Sequence, residues 1–164
     1  GCEWKGIDFS MFWQGVAKRD LWLDGPMFWG ISGGEWQSTG LKEHLDYYRP
    51  ENTTSVFGPN TNAYFPKMYM SKDMNQKVQT RYLQNGAYAR LKNIQLGYTF
   101  PTQIINKLHM QKLRVYVSAE NVLTITSLPS GFDPETTYSS YSDGNSGKTY
   151  PLQTTISFGL NATF

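Results

Sequence analysis

Cysteine is nearly absent. Cys2 stands alone in 164 residues, so no internal disulfide framework and no cysteine zinc cluster can be built. Charge is scarce: Lys and Arg number 15, Asp and Glu 13, and together they make 17% of the chain. The net +2 gives no electrostatic footprint for a nucleic-acid partner or a polybasic membrane contact. There is no apolar run long enough for a membrane helix. There is neither an initiator Met nor a basic-then-apolar leader, so position 1 is expected to be a processed or cut end. The length alone suggests one domain.

Aromatics, by contrast, reach 15%, with five Trp, eleven Tyr and nine Phe. The mean hydropathy is nevertheless −0.50. Aromatic-rich, charge-poor and polar on average describes a membrane β-barrel, whose lipid face takes only every second residue of a strand. A carbohydrate-binding β-module has a similar composition.

Four segments carry a period of two, which sorts a strand's residues onto opposite faces of a sheet. In 151–164 one face reads Leu152, Thr154, Ile156, Phe158, Leu160, Ala162 and Phe164, the other Gln153, Thr155, Ser157, Gly159, Asn161 and Thr163. The second face has no large apolar residue and cannot pack into a hydrophobic core. Segment 112–124 sets Leu113, Val115, Val117 and Ala119 against Arg114, Tyr116, Ser118 and Glu120. Segment 87–100 sets Ile94, Leu96, Tyr98 and Phe100 against Asn93, Gln95, Gly97 and Thr99. Segment 4–18 sets Ile7, Phe9, Met11 and Trp13 against Asp8, Ser10 and Gln14, with Phe12 and Val16 breaking the alternation. These runs exceed the usual globular strand of about 5–6 residues and match tilted membrane-spanning strands, which need about 9–11.

The connections alternate long, short, long: 19–86, 101–111 and 125–150. Outer-membrane barrels segregate long external loops from short periplasmic turns in this way. Pro101 ends the third run because it has no N–H to give a ladder, and a helical turn fits after it. Leu41, Leu45 and Tyr48 form a short helical spacing within 19–86.

Catalytic and metal-binding constellations are weak. Ser142 to Thr149 is similar to a phosphate loop, but it lacks the first Gly and runs into Tyr150-Pro151 where a helix should begin, so it reads as a loop tip. His44 and His109 fall in different connections without second ligands nearby, and no metal site is expected from them. Asp133, Glu135, Asp143 and Asn145 could supply oxygens to calcium, but without the spacing of a calcium loop they read as solvated acids. No catalytic pair is expected from the same acids. Trp22, Trp29, Trp36, Tyr47, Tyr48, Tyr64 and Tyr69 lie among Gly and polar residues. Such rings can stack on a sugar face, pack loops together, or sit in an interfacial belt, since each use needs an amphipathic ring.

Five blocks carry a family resemblance. They are Gly86-Ala-Tyr-Ala-Arg-Leu-Lys-Asn-Ile-Gln-Leu-Gly-Tyr-Thr-Phe-Pro101, Leu113-Arg-Val-Tyr-Val-Ser-Ala-Glu-Asn-Val-Leu-Thr-Ile-Thr126, Gly131-Phe-Asp-Pro-Glu135, Gly6-Ile-Asp-Phe-Ser-Met-Phe-Trp-Gln-Gly15 and Tyr48-Arg-Pro-Glu-Asn52. A last block, Tyr150-Pro151 with a strand ending in Phe164, also fits. Taken in chain order, these blocks resemble the carboxy-terminal portion of SusC/RagA-type TonB-dependent outer-membrane transporters.

The resemblance implies an all-β fold, the last strands of a large antiparallel transmembrane β-barrel of about 22 strands with long extracellular loops. It implies import of oligosaccharides or peptides across the bacterial outer membrane, not enzymatic catalysis. The implied partners are a SusD-like surface lipoprotein acting as a lid, TonB through a part outside this chain, the substrate, and outer-membrane lipid; no cofactor is implied. On this reading Ile156, Phe158 and Leu160 face lipid, and Phe164 closes the barrel-terminal strand. Trp29, Trp36, Tyr47, Tyr48 and Tyr64 are the expected contacts to substrate or lid. Two rivals remain: a complete small barrel of about eight strands, which would need four more strands within 19–86, and a soluble carbohydrate-binding module with a dry core between two sheets.

Overall fold

The computed structural model describes residues 1–30, 40–69, 73–137 and 149–164. The chain forms two compact units rather than one. The first contains 1–18, 87–127 and 152–164, and the second 19–86 and 128–151.

The first unit is a five-stranded antiparallel sheet in the order β1-β2-β5-β6-β7, with β1 Cys2–Trp4, β2 Ile7–Val16, β5 Tyr88–Thr99, β6 Lys112–Thr126 and β7 Thr155–Thr163. The run expected over 4–18 is divided. Lys5 and Gly6 both take positive φ, 47° and 86°, and fold Trp4 back opposite Ile7. A two-residue turn with both central residues left-handed matches the twist of its strands. Beyond β5, Pro101 opens the short turn, which holds α2 (Thr102–Ile105).

Register fixes the faces. Asp8 lies opposite Gly97, Gly97 opposite Tyr116, and Tyr116 opposite Gly159, so these four share one face. Ile7, Tyr98, Val115 and Leu160 share the other, as do Phe9, Leu96, Val117 and Phe158. Phe158 is 84% exposed, Leu160 65% and Ile156 63%. The interrupted alternation of the first run has a structural counterpart. Lys92 is skipped where β5 pairs β2, and Asn121 and Val122 are skipped where β6 pairs β5. Asn121 takes φ 53° there, the left-handed conformation that Asn tolerates well. Phe12 pairs with Asn93 on the polar face, and Trp13 with Leu91 beyond the bulge.

Side chains on the polar face lie across neighbouring strands. Arg114 of β6 donates from Nε and Nη2 to the two carboxylate oxygens of Asp8 on β2, at 2.9 and 2.5 Å. The guanidinium passes over β5 at Gly97, where an added Cβ would sit 2.5 Å from both Arg114 Nη2 and Asp8 Oδ1. The same guanidinium lies 4.8 Å from the Tyr116 ring centre. Tyr116 in turn covers β7 at Gly159, where a Cβ would fall within its ring.

The second unit is held by side chains more than by ladders. Among the described residues, its extended elements are β3 Asp20–Leu21 paired with β4 Gln84–Asn85, and the bridges Tyr47–Phe65 and Arg49–Asn60. The complete-barrel rival needed four long strands in 19–86, and two two-residue strands do not supply them. The spacing of Leu41, Leu45 and Tyr48 yields only a 3-10 turn over Lys42–Leu45. Leu21, Leu23, Phe28, Trp29, Phe65, Tyr82, Leu128 and Phe132 make one buried cluster. Burying a side chain of this size contributes about 1.5–3 kcal/mol, so this cluster organises the two long connections.

The glycine slots give a direct test in the full-length protein. Gly159→Val forces Tyr116 off its resting place and should cost about 1–3 kcal/mol through overpacking. Less protein should then reach the folded, protease-resistant form. Gly40→Ala, at a site with nothing within 4 Å, should assemble normally. Equal assembly of the two variants would remove the slot from the account.

Candidate functional site

Among the described residues of the loop unit, two of the hollows share a wall. The first, of about 400 Å³, is lined by Met27, Phe28, Leu41, His44, Phe65, Pro129 and Phe132, with Glu43, Asp46, Tyr64, Gln84 and Ser130 adding polar groups. The second, of about 560 Å³, is lined by Leu41, His44, Leu45, Tyr47 and Met68, with Lys42 and Lys67. Leu41 and His44 belong to both.

Local chemistry builds that wall. His44 is buried, and its Nδ1 accepts the Leu41 N–H at 2.9 Å, which caps the 3-10 turn. That bond places the ring proton on Nε2, which lies 3.1 Å from the Phe28 carbonyl and donates to it. Gly30, with φ 59°, lets the chain leave α1 (Pro26–Trp29) directly over the ring; a Cβ there would be 2.8 Å from Nδ1. Both histidine nitrogens are thus committed to backbone, so His44 is a clasp between segments rather than a ligand in waiting. Among the described residues no three His, Cys, Asp or Glu side chains gather as for a metal ion. Asp143 and Asn145, candidates for calcium, lie outside the described residues. Asp133 is buried, and its Oδ1 accepts the Glu135 N–H at 2.9 Å, turning the chain after Phe132.

Asp46 is fixed from two sides. Its Oδ1 accepts the Asn60 side-chain amide at 2.8 Å and its Oδ2 the Tyr64 N–H at 3.2 Å. The Tyr64 hydroxyl accepts from Gln84 Nε2 at 3.0 Å, which leaves its own proton to donate. Arg49, also buried, donates to the carbonyls of Gly58 and Leu45 at 2.6 and 2.8 Å and lies 4.7 Å from the Tyr47 ring centre.

The aromatic contacts named from sequence separate here. Trp29, expected at substrate or lid, is 1% exposed at the centre of the core. Its Nε1–H donates to the Leu23 carbonyl at 3.2 Å, and Phe28 and Tyr82 pack edge-on at 5.1 and 4.9 Å. Such a ring has no free face for stacking. Trp36 lies outside the described residues. Tyr64 walls the first hollow and Tyr47 the second, while Tyr48 is exposed and lines neither. Ile156, Phe158 and Leu160 lie exposed on the apolar face of β7, and Phe164 is exposed just beyond it. Sequence reasoning passed over Phe28, Phe65, Phe132, Glu43 and Asp46, and weighed His44 only as a metal ligand. The only available signal was their company of Gly and Pro in the long connections, which does not say which rings converge.

Comparison with known proteins now bears on this geometry. No family model matches the chain. TonB-dependent receptor P3 of Formosa agariphila is 35% identical over 99% of the chain. The chain belongs to the TonB-dependent receptor family. TonB-dependent receptor P26 of the same organism is 25% identical, again over 99% of the chain. The chain spans only about 15% of the length of P3 and 16% of P26, so it is a piece of a large receptor. The structure superposes on the RagAB peptide importer in its open-open and closed-closed states, each with TM-score 0.62 over 98% of this chain and 16% of the other. Identities of 24% and 22% make this a likeness of fold, which is all-β. These relatives are receptors and transporters rather than enzymes.

Trp29→Ala should remove about 3–5 kcal/mol from the loop unit, opening 19–86 to limited proteolysis in an otherwise assembled receptor. Tyr48→Ala should leave the digestion pattern unchanged. Protease resistance in the Trp29 variant would mean that the aromatic cluster does not hold these connections.

Proposed function

We propose that the chain is one sector of a TonB-dependent importer of the bacterial outer membrane, contributing wall strands and part of the external substrate chamber. The carrying observation is the two-faced sheet. One face, with Ile7, Leu96, Val115, Ile156, Phe158 and Leu160, is apolar and outward in exposure, and the other carries Asp8, Arg114 and Tyr116. A soluble sandwich would bury the apolar face against a second sheet. A barrel wall sets it against lipid and turns the polar face to the lumen.

On this reading the short turn 101–111 is periplasmic, and 19–86 and 125–150 are external. The substrate is an oligosaccharide or a peptide, a SusD-like lipoprotein covers the chamber, and TonB supplies energy through a part of the receptor outside this chain. The family membership and the RagAB fold support import as the activity. A packed loop unit with preformed hollows suits capture, because a preformed site avoids the entropy of ordering a loop on binding.

Three measurements test this. Deleting the receptor should abolish energised uptake of labelled oligosaccharide or peptide, and removing TonB should do the same; uptake unchanged in both strains would overturn the reading. Arg at a lipid-facing midplane site costs about 2–4 kcal/mol, so Phe158→Arg should impair insertion while Ser157→Arg is tolerated. Equal defects would reject the facing. A cysteine at Ser55 should react with an impermeant reagent on intact cells and one at Asn106 should not, and the reverse would invert the topology.

A further inference from the structure

The apolar face of the sheet ends in a cation. Trp4 pairs with Ile7, Ile7 with Tyr98, Tyr98 with Val115 and Val115 with Leu160, so these five residues form one row on that face. The Lys5-Gly6 turn joins Trp4 to Ile7 at the end of the row. Trp4 is 67% exposed, and the Lys5 ammonium lies 4.7 Å from its ring centre, so the turn lays its charge over the apolar face. Tyr98 backs the turn: a Cβ on Gly6 would sit 3.6 Å from its ring. Among the described residues Lys5 makes no ion pair, and neither the Trp4 indole N–H nor the Tyr98 hydroxyl has a hydrogen-bond partner. The carboxylates nearest in sequence, Glu3 and Asp8, lie opposite each other on the polar face, and Asp8 is taken up by Arg114. Beside the cation runs a hollow of about 510 Å³ whose lining includes Ile7, Leu96, Tyr98, Val115, Val117 and Phe158. Ile7 and Tyr98 belong both to this hollow and to the row that starts at Trp4.

We propose that the turn and this hollow together bind one anionic phospholipid: its phosphate meets Lys5 and the Trp4 N–H, and an acyl chain lies along Ile7, Leu96, Val115 and Phe158. Charge complementarity chooses the occupant. An apolar groove alone would take the chain of any lipid. A cation that no carboxylate of the protein answers favours a headgroup of net negative charge over a zwitterionic one, whose own cation competes with Lys5. The tryptophan suits the boundary, because its ring is apolar and its N–H is a donor. The inference rests on the barrel-wall reading, which sets this face against lipid, and adds which lipid is held at the periplasmic rim.

The experiment uses the full-length receptor in phosphatidylcholine nanodiscs. Brominated phosphatidylglycerol or brominated phosphatidylcholine is mixed in at the same low fraction. Bromine on an acyl chain quenches a nearby tryptophan, and the Trp4 signal is the difference between the receptor and its Trp4→Phe variant. The phosphatidylglycerol should quench Trp4 at about fivefold lower fraction, the advantage that one lysine at a membrane surface confers. Raising the salt should shrink that advantage. Lys5→Gln should abolish it without changing quenching by phosphatidylcholine, and Lys5→Arg should keep it. A merely structural lysine would alter both lipids alike. Equal quenching by the two lipids, or an advantage that survives Lys5→Gln, refutes the site and leaves the lipid-facing assignment standing. Failure of either lipid to quench Trp4 rejects the lipid-facing assignment itself, and the barrel-wall reading with it.

Discussion

Arg114 can reach Asp8 only because residue 97 has no side chain. The two belong to strands that are not neighbours, and the guanidinium crosses the intervening β5 at the one glycine opposite Asp8. A planar fork with two donors in line matches a carboxylate in one geometry, so the pair tolerates little slippage. A shift of β5 by one residue would put a side chain under the guanidinium, and a shift of β2 by one would turn Asp8 to the other face, out of its reach. Tyr116 repeats the device one strand further on, over Gly159, with Arg114 stacked on it. Three long-range contacts thus tie four strands into one register, and register decides which residues meet water and which meet carbon.

That constraint explains an allocation of residue types that would otherwise be puzzling. A sheet whose apolar face is exposed cannot draw stability from a core beneath it, so its strands rely on ladder hydrogen bonds and on the cross-strand contacts of the polar face. The loop unit has the opposite arrangement. Among its described residues ladders are few, and eight buried side chains with a clasping histidine and a carbonyl-gathering arginine do the holding. Each unit therefore depends on a different term, and a substitution can damage one while sparing the other.

These two modes were not equally readable in the sequence. Alternation in 151–164 and 112–124 is regular because neither segment can afford a misplaced residue on either face, and the faces drawn from it coincide with the observed registers. The Lys5-Gly6 turn was missed because its residues are not the usual Asn-Gly or Asp-Gly signal. The bulges at Lys92 and Asn121 leave only a broken alternation, with nothing to say where an extra residue sits. In the long connections, periodicity is absent and contacts run between residues far apart in sequence. His44, read as a lone histidine, has partners at Leu41 and Phe28, and only the fold joins them. Trp29 was misplaced for the same reason: a tryptophan among glycines looks alike whether its ring is offered to a ligand or shut in a core.

The burial of Trp29 also bears on how such a loop unit binds anything. A large ring exposed on a flexible loop must be ordered when a ligand arrives, and that entropy offsets part of the contact energy. Placed in the core, the same ring fixes Phe28 and Tyr82 edge-on, and through Phe28 and Phe65 it sets the floor of the first hollow before any ligand comes. Trp29 thereby holds the floor of that hollow in place. Residues carried on a packed core can change without disturbing the core that presents them.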